Sequence, residues 1–305
     1  MPASTHTAPH SLLGVTHQAV DFDVPALACD CHTHVFGPAH LYPYAAKRRY
    51  TPAEAPLTDL QALHRHLGIG RVVIVQPSPY GTDNSVTLDA LRQLQGRGRA
   101  VAVIDEHTGD DELARMHEAG VRGIRLNLET EGISDPAYAR RQLQWAARRV
   151  GPLGWHVQIF TNPAVLAAAA DTIAGLGVAV VVDHFGRTSM DAGSGRPGLQ
   201  ALLELLRSGA AWVKLSAPYR LPGGPDSPQV SELARALIEA NPDHMLWGSD
   251  WPHPGGARNG PVDAIEPFQS IDDGHALNRF AAWVPDRALR EKILVHNPAR
   301  LYDYR

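Results

Sequence analysis

Eight short β-rich runs, most ending in a polar residue and each followed by a helical pattern, constrain this 305-residue chain more than any other feature. The runs lie at 26–35, 71–76, 100–104, 121–127, 155–160, 178–183, 211–216 and 245–250. Several are almost wholly apolar, as in VVIV, AVAVI and VAVVVD. Strands covered on both faces have that composition, because neither side meets water. Helical patterns follow at 58–67, 85–95, 110–119, 137–150, 163–174, 199–207 and 231–240. They open on residues suited to helix starts: Asp110 and Asp111 begin one, and Ser134-Asp135-Pro136 precedes another. An eighth pattern, 286–295, comes after an insertion at 251–285. Eight such units in one domain predict an α/β fold, a (β/α)8 TIM barrel over 25–305 behind a short N-terminal arm at 1–24. The arm is expected to be loosely held and to carry no chemistry. A doubly wound open sheet is the competing architecture, but no GxGxxG follows the first run.

Composition narrows the function classes. Lys and Arg number 28 against 32 Asp and Glu, a net charge of −4, which offers no global footprint for nucleic acid or an anionic membrane. The longest apolar run, 164–170, is far short of the ~18 residues a membrane span requires. The opening residues lack the basic and apolar regions of a secretory signal. The only two cysteines, Cys29 and Cys31, are poorly spaced for an intrachain disulfide, so the chain reads as reduced and cytoplasmic. Sixteen histidines are many for a chain without a metal-storage tract.

Catalytic groups of such barrels stand at the C-terminal ends of the strands. The first run ends Asp30-Cys31-His32-Thr33-His34, the sixth Asp183-His184 and the eighth Ser249-Asp250. Simple alternation puts Asp30, His32 and His34 on one face and Cys29, Cys31 and Thr33 on the other. His32, His34, His184 and Asp250 are therefore expected to converge in the mouth. His156 begins the fifth run and is expected deep in the barrel as a hydrogen-bonded core residue, with Gln158 and Phe160 nearer the mouth. His64, His66, His107, His117 and His244 fall in or beside helical patterns and read as surface residues.

The His-x-His of run one, the histidine of run six and the aspartate of run eight resemble the amidohydrolase superfamily, and within it the lactonase branch. The segments that carry the resemblance are CDCHTHVFGP at 29–38, VIVQPSPYGTDN at 73–84, GVRGIRLN at 120–127, VVDHFGR at 181–187, VKLSAPYR at 213–220, LWGSDWPHP at 246–254 and HNPARLY at 296–302. The chain departs from many members in having no lysine at the end of run four, which closes on Arg125-Leu126-Asn127. A binuclear metal site is therefore not expected. The resemblance implies that no metal is obligatory. If a single divalent ion such as zinc or manganese binds, its ligands would be His32, His34, His184 and Asp250.

The same resemblance implies hydrolysis of a small anionic lactone, with 2-pyrone-4,6-dicarboxylate, in aromatic-compound catabolism, as the leading substrate. Alternatives are a sugar-acid lactonase or lactone isomerase, and a metal-dependent decarboxylase of the aminocarboxymuconate type. Arginines near the mouth favour a carboxylated substrate, since a guanidinium grips a carboxylate through two parallel hydrogen bonds. Arg125, Arg187 and Arg220 are the candidates, completed by Ser78, Tyr80, Tyr50, Asn127 and Gln158. Asp250 is the candidate general base, and His32, His34 and His184 the candidate donors to the carbonyl oxygen.

Overall fold

The computed structural model describes residues 10–190, 196–255 and 261–304. Residues 1–9 of the arm and parts of the Gly/Pro-rich stretches at 186–198 and 252–262 lie outside the described residues. Eight parallel strands hydrogen-bond in chain order: β1 Cys29–Thr33, β2 Arg71–Val75, β3 Gly98–Ala102, β4 Val121–Leu126, β5 His156–Ile159, β6 Val180–Val182, β7 Ala211–Ser216 and β8 Met245–Gly248. The last strand returns to the first. Asp250 N donates to His32 O at 2.9 Å and His34 N to Trp251 O at 2.8 Å. The expected (β/α)8 barrel is thus what the chain forms.

The helices are α1 Leu57–Leu67, α2 Ser85–Leu94, α3 Asp110–Ala119, α4 Pro136–Val150, α5 Pro163–Ala174, α6 Arg196–Arg207, α7 Pro228–Ala240 and α8 Asp273–Trp283. Period two in the strands separates two cores. Val73, Val75, Val101, Val181, Trp212 and Leu246 join Cys29 and Cys31 in a cluster that includes the C-terminal Tyr302 and Tyr304. Val72, Ile74, Val180, Val182, Val213 and Leu215 pack in the larger cluster with the helix residues. Both cysteines are buried free thiols. No helix of the described residues is long and apolar enough to cross a membrane.

Three local expectations change. The eighth barrel helix is α8, inside the stretch read as an insertion, and the pattern at 286–295 is instead a broken segment: Arg287–Glu291, a π turn Lys292–His296, then Asn297–Leu301. Asp272 caps α8 by accepting from His275 N. Gly274 disguises the helix in sequence, and it is required because a Cβ there would lie 2.0 Å from Gln18 O. Strand β3 runs two residues earlier than its pattern. Asn84 ends it by bonding both the N–H and the carbonyl of Val103, at 3.0 and 2.8 Å. The described part of the arm is held: Gln18 N donates to Asp272 Oδ1 at 2.9 Å and Asn278 Nδ2 to Ala19 O at 2.9 Å.

Candidate active site

Strand β1 does not alternate simply. Its pairing with β2 slips by one residue between Asp30 and Thr33, which is a β-bulge. Asp30 consequently faces the helix layer, where Oδ2 meets His64 Nε2 of α1 at 3.2 Å and Ser249 Oγ at 2.6 Å. His64 is therefore a buried partner of Asp30, not the surface residue its helical pattern suggested. Past the bulge, His32 and His34 turn into the mouth with ring centroids 5.1 Å apart.

His184 follows β6 and Asp250 follows β8, both with left-handed backbone, φ 53° and 69°. Non-glycine residues hold that conformation at a cost of order 1–3 kcal/mol, and such strain concentrates at functional sites. The result is one convergent arrangement. Asp250 Oδ1 lies 3.5 Å from His32 Nε2, 3.6 Å from His34 Nε2 and 3.8 Å from His184 Nε2. The other oxygen, Oδ2, accepts from Tyr219 Oη at 2.5 Å and from Arg220 Nε and Nη2 at 3.2 and 3.1 Å.

Each imidazole is oriented from behind. His34 Nδ1 lies 2.8 Å from Val75 O, and a carbonyl only accepts, so a neutral His34 carries its proton on Nδ1. His184 Nδ1 lies 2.8 Å from Ser216 Oγ, which can donate or accept. His32 Nδ1 lies 3.3 Å from Lys214 Nζ. Burial, with the Lys214 charge adding to it, keeps the His32 pKa well below its usual value against the pull of Asp183. Burial lowers that of His184 to about 4.

Beneath the imidazoles a second carboxylate, Asp183, organises a buried polar layer. Its Oδ2 accepts from Arg125 Nε at 2.9 Å and from Gln158 Nε2 at 3.0 Å. Lys214 Nζ donates to Gln158 Oε1 at 2.7 Å and lies 3.6 Å from Asp183 Oδ1. Burial alone would raise the Asp183 pKa, but His32, Arg125 and Lys214 outweigh it and hold the carboxyl well below the usual range. Burial pushes Lys214 down to about 8, with Asp183 opposing. Burial would likewise raise Asp250, yet His184 and Arg220 keep it well below the usual range. Three cations, Arg125, Lys214 and Arg220, thus face two carboxylates, leaving a positive excess suited to an anionic ligand.

The remaining candidates divide. Arg125 spends Nε on Asp183 and lies over the Phe160 ring at 5.1 Å. Arg187 pairs with Glu129 at 2.9 Å. Gln158 is fully engaged between Asp183 and Lys214. Tyr80 is buried, its hydroxyl accepting from Gly37 N at 3.1 Å. Tyr50 is buried and close enough to influence the charge of Arg220. Ser78 and Asn127 line one cavity of about 680 Å³ with Lys47, Arg48 and Arg49, and Asn127 Oδ1 is buried without a partner among the described residues. His156 is in the core as expected, but among the described residues neither ring nitrogen makes a contact that meets hydrogen-bond geometry. Lys214, Tyr219 and the hub role of Asp183 were not anticipated. The signal for Lys214 was present: a charged residue inside the apolar run AWVKLS has to be paired.

Among the described residues, ligand atoms close enough for a metal ion occur in two groups, His32–His34–Asp250 and His32–Asp183–His184. His34 fits such a role, since its backbone bond leaves Nε2 bare. His32 fits less well: its Nδ1 lies between Lys214 Nζ at 3.3 Å and Asp183 Oδ1 at 3.2 Å, and accepting from the ammonium, which only donates, would put the His32 proton on Nε2, where a metal would bind. Because His32 belongs to both groups, no step is derived through a metal.

Residues 29–304 match the family described as amidohydrolase. The chain is 38% identical over 289 residues to 4-sulfomuconolactone hydrolase of Rhizobium radiobacter, covering 93% of this chain and 92% of that protein. It is 36% identical over 291 residues to 2-pyrone-4,6-dicarboxylate hydrolase of Comamonas testosteroni, covering 92% of each. A crystal structure from Pseudomonas putida, assigned provisionally as a 2-pyrone-4,6-dicarboxylic acid hydrolase, superposes with a TM-score of 0.75 at 33% identity, covering 92% of this chain and 99% of that one.

Proposed function

This chain belongs to the amidohydrolase family, and on that premise we propose that it hydrolyses a carboxylated lactone, with 2-pyrone-4,6-dicarboxylate the leading substrate. The observation that carries this reading is a single carboxylate oxygen, Asp250 Oδ1, faced by three imidazole Nε2 atoms at 3.5–3.8 Å. A lactone carbonyl placed there has a base on one side and candidate hydrogen-bond donors around its oxygen. Water held by Asp250 Oδ1 attacks the carbonyl carbon as Oδ1 takes its proton. Negative charge grows on the carbonyl oxygen, where N–H groups of His32 and His184 stabilise it in a site shielded from water; neutral His34, its proton committed to Val75 O, is not the donor expected from sequence. The tetrahedral intermediate collapses with cleavage of the ring C–O bond. Protonated Asp250 then gives its proton to the departing ring oxygen, which in a pyrone is an enolate and leaves readily.

The substrate's carboxylates give Arg220 and Arg125 a second purpose. Both guanidiniums are held by site acids, and Arg125 keeps its terminal NH2 groups unspent among the described residues. A substrate carboxylate on Arg220 would compete with Asp250 for it, loosening the ion pair that keeps Asp250 a weak base. Substrate binding and base activation are then coupled through one residue.

A panel of carboxylated, sulfonated and sugar-acid lactones assayed with and without chelator tests the reading. Turnover of a pyrone or muconolactone acid that survives chelation is expected. Activity confined to neutral sugar lactones, or carbon dioxide release that depends strictly on added zinc, would replace it.

A further inference from the structure

Lys214 on β7 has a fully enclosed side chain, and no step of the hydrolysis uses its charge. We propose that Lys214 is a positioning residue: its ammonium donates to His32 Nδ1, fixes His32 as the Nε2–H tautomer, and so makes His32 the neutral imidazole that donates to the developing oxyanion. This deepens the lactonase reading and rests on it.

The neighbours of Nζ restrict its protons. Gln158 Oε1 lies at 2.7 Å, His32 Nδ1 at 3.3 Å and Asp183 Oδ1 at 3.6 Å. The Gln158 amide cannot be turned the other way, because its Nε2 donates to Asp183 Oδ2 at 3.0 Å. Its oxygen must therefore face Lys214. One group competes for His32. Asp183 Oδ1 lies 3.2 Å from the same Nδ1 and could accept a proton from it. That contact falls short of hydrogen-bond geometry, however, and among the described residues Asp183 Oδ1 has no partner that meets it. The Lys214 contact does meet it.

The opposite nitrogen supports the same assignment. His32 Nε2 is buried and, among the described residues, without a hydrogen-bond partner, although it faces Asp250 Oδ1 at 3.5 Å. A donor left open at the mouth is what an incoming carbonyl oxygen requires. Neither neighbouring imidazole is fixed in this way. Neutral His34 is committed to Val75 O through Nδ1 and offers a lone pair at Nε2, and His184 leans on a hydroxyl of either polarity. Lys214 thereby lets a lysine cation, acting through His32, polarise the carbonyl.

Nitrogen chemical shifts of histidine in uniformly 15N-labelled full-length enzyme report the tautomer directly, without substrate. His32→Gln identifies the His32 signals. The expected result is an Nε2–H signature for His32 in the wild type, shifting toward Nδ1–H in Lys214→Met as Asp183 takes over. In that variant kcat should fall about 100-fold, as for loss of one oxyanion donor, with KM near wild type. An Nδ1–H signature in the wild-type enzyme overturns the proposal even if every Lys214 variant fails to fold. So does Lys214→Met with wild-type kcat. An enzyme that shows the Nε2–H signature but hydrolyses no lactone sinks the lactonase reading instead, and the donor role with it.

Discussion

Arg220 grips Asp250 rather than standing free: its Nε and Nη2 lie 3.2 and 3.1 Å from Oδ2 of the carboxylate assigned as base. Asp250 is buried and Arg220 partly so, and His184 and Arg220 hold the Asp250 pKa well below the usual carboxylate range. Removing the cation as Arg220→Met raises that pKa. The acid limb of the kcat/KM profile should therefore move to higher pH, and KM for a dicarboxylate should rise at least tenfold, about 1.4 kcal/mol of lost binding. A pH–rate profile at several substrate concentrations separates the two effects. An unchanged limb would mean that Arg220 does not tune the base.

Asp250→Asn keeps the shape of the side chain and removes its basicity. The variant should bind a substrate analogue about as well as the wild type and lose 10²–10⁴ in kcat, the usual contribution of a general base. Calorimetric titration with a pyrone dicarboxylate, paired with turnover, checks both halves. Wild-type turnover in the variant would move the base elsewhere.

Arg125 and Asp183 form a buried pair at 2.9 Å, both nearly inaccessible to water. Breaking it from one side as Arg125→Met leaves a carboxylate short of its closest guanidinium donor. About 3–5 kcal/mol of stability should be lost, as for other buried pairs broken from one side. Adding Asp183→Asn should recover part of that loss, because the stranded charge is gone. Urea denaturation of the two singles and the double gives the coupling, and strict additivity would mean that the pair is not coupled.

Gly248 closes the barrel against His32. A Cβ there would come within 2.8 Å of His32 N and 2.7 Å of His32 Cβ, and the backbone cannot yield as a flexible side chain would. Gly248→Ala should cost about 1–3 kcal/mol and lower kcat more than a surface substitution of equal destabilisation, since the displaced group is the proposed oxyanion donor. Thermal melts read against turnover decide whether stability and activity fall together.

His156 stays neutral in the folded protein because burial lowers its pKa to about 3 from 6.5. The unfolded chain takes up its proton as pH falls below 6.5 and the folded chain does not. His156 therefore contributes a loss of stability on acidification between about 6.5 and 3. His156→Leu should flatten the stability-against-pH curve there by one proton, about 1.4 kcal/mol per pH unit. Chemical denaturation at a series of pH values measures the slope, and an identical slope in the variant would contradict the assignment.

The barrel was legible because eight apolar runs and their helices repeat one pattern, and the four mouth residues because each stands where a run ends. Long-range pairing was not. Nothing local says that Arg125 reaches Asp183, 58 residues away, or that Lys214 reaches His32, 182 residues away. Gln158 and Tyr80 look available in sequence and are engaged in space, because the barrel brings Lys214 to the first and Gly37 to the second. Helix α8 was hidden by Gly274, whose reason for being glycine is a backbone 256 residues earlier.

The single extra residue in β1 has a consequence for anyone who moves this chemistry to another scaffold. Copied onto a regular strand, the segment from Asp30 to His34 would turn its acid toward the same side as both rings, adding a third carboxylate to the chamber and withdrawing it from His64 and Ser249. What must be transplanted is the irregularity in the ladder as well as the letters, for it is the kink that sends one ionisable group outward as a strut and the next two inward as tools.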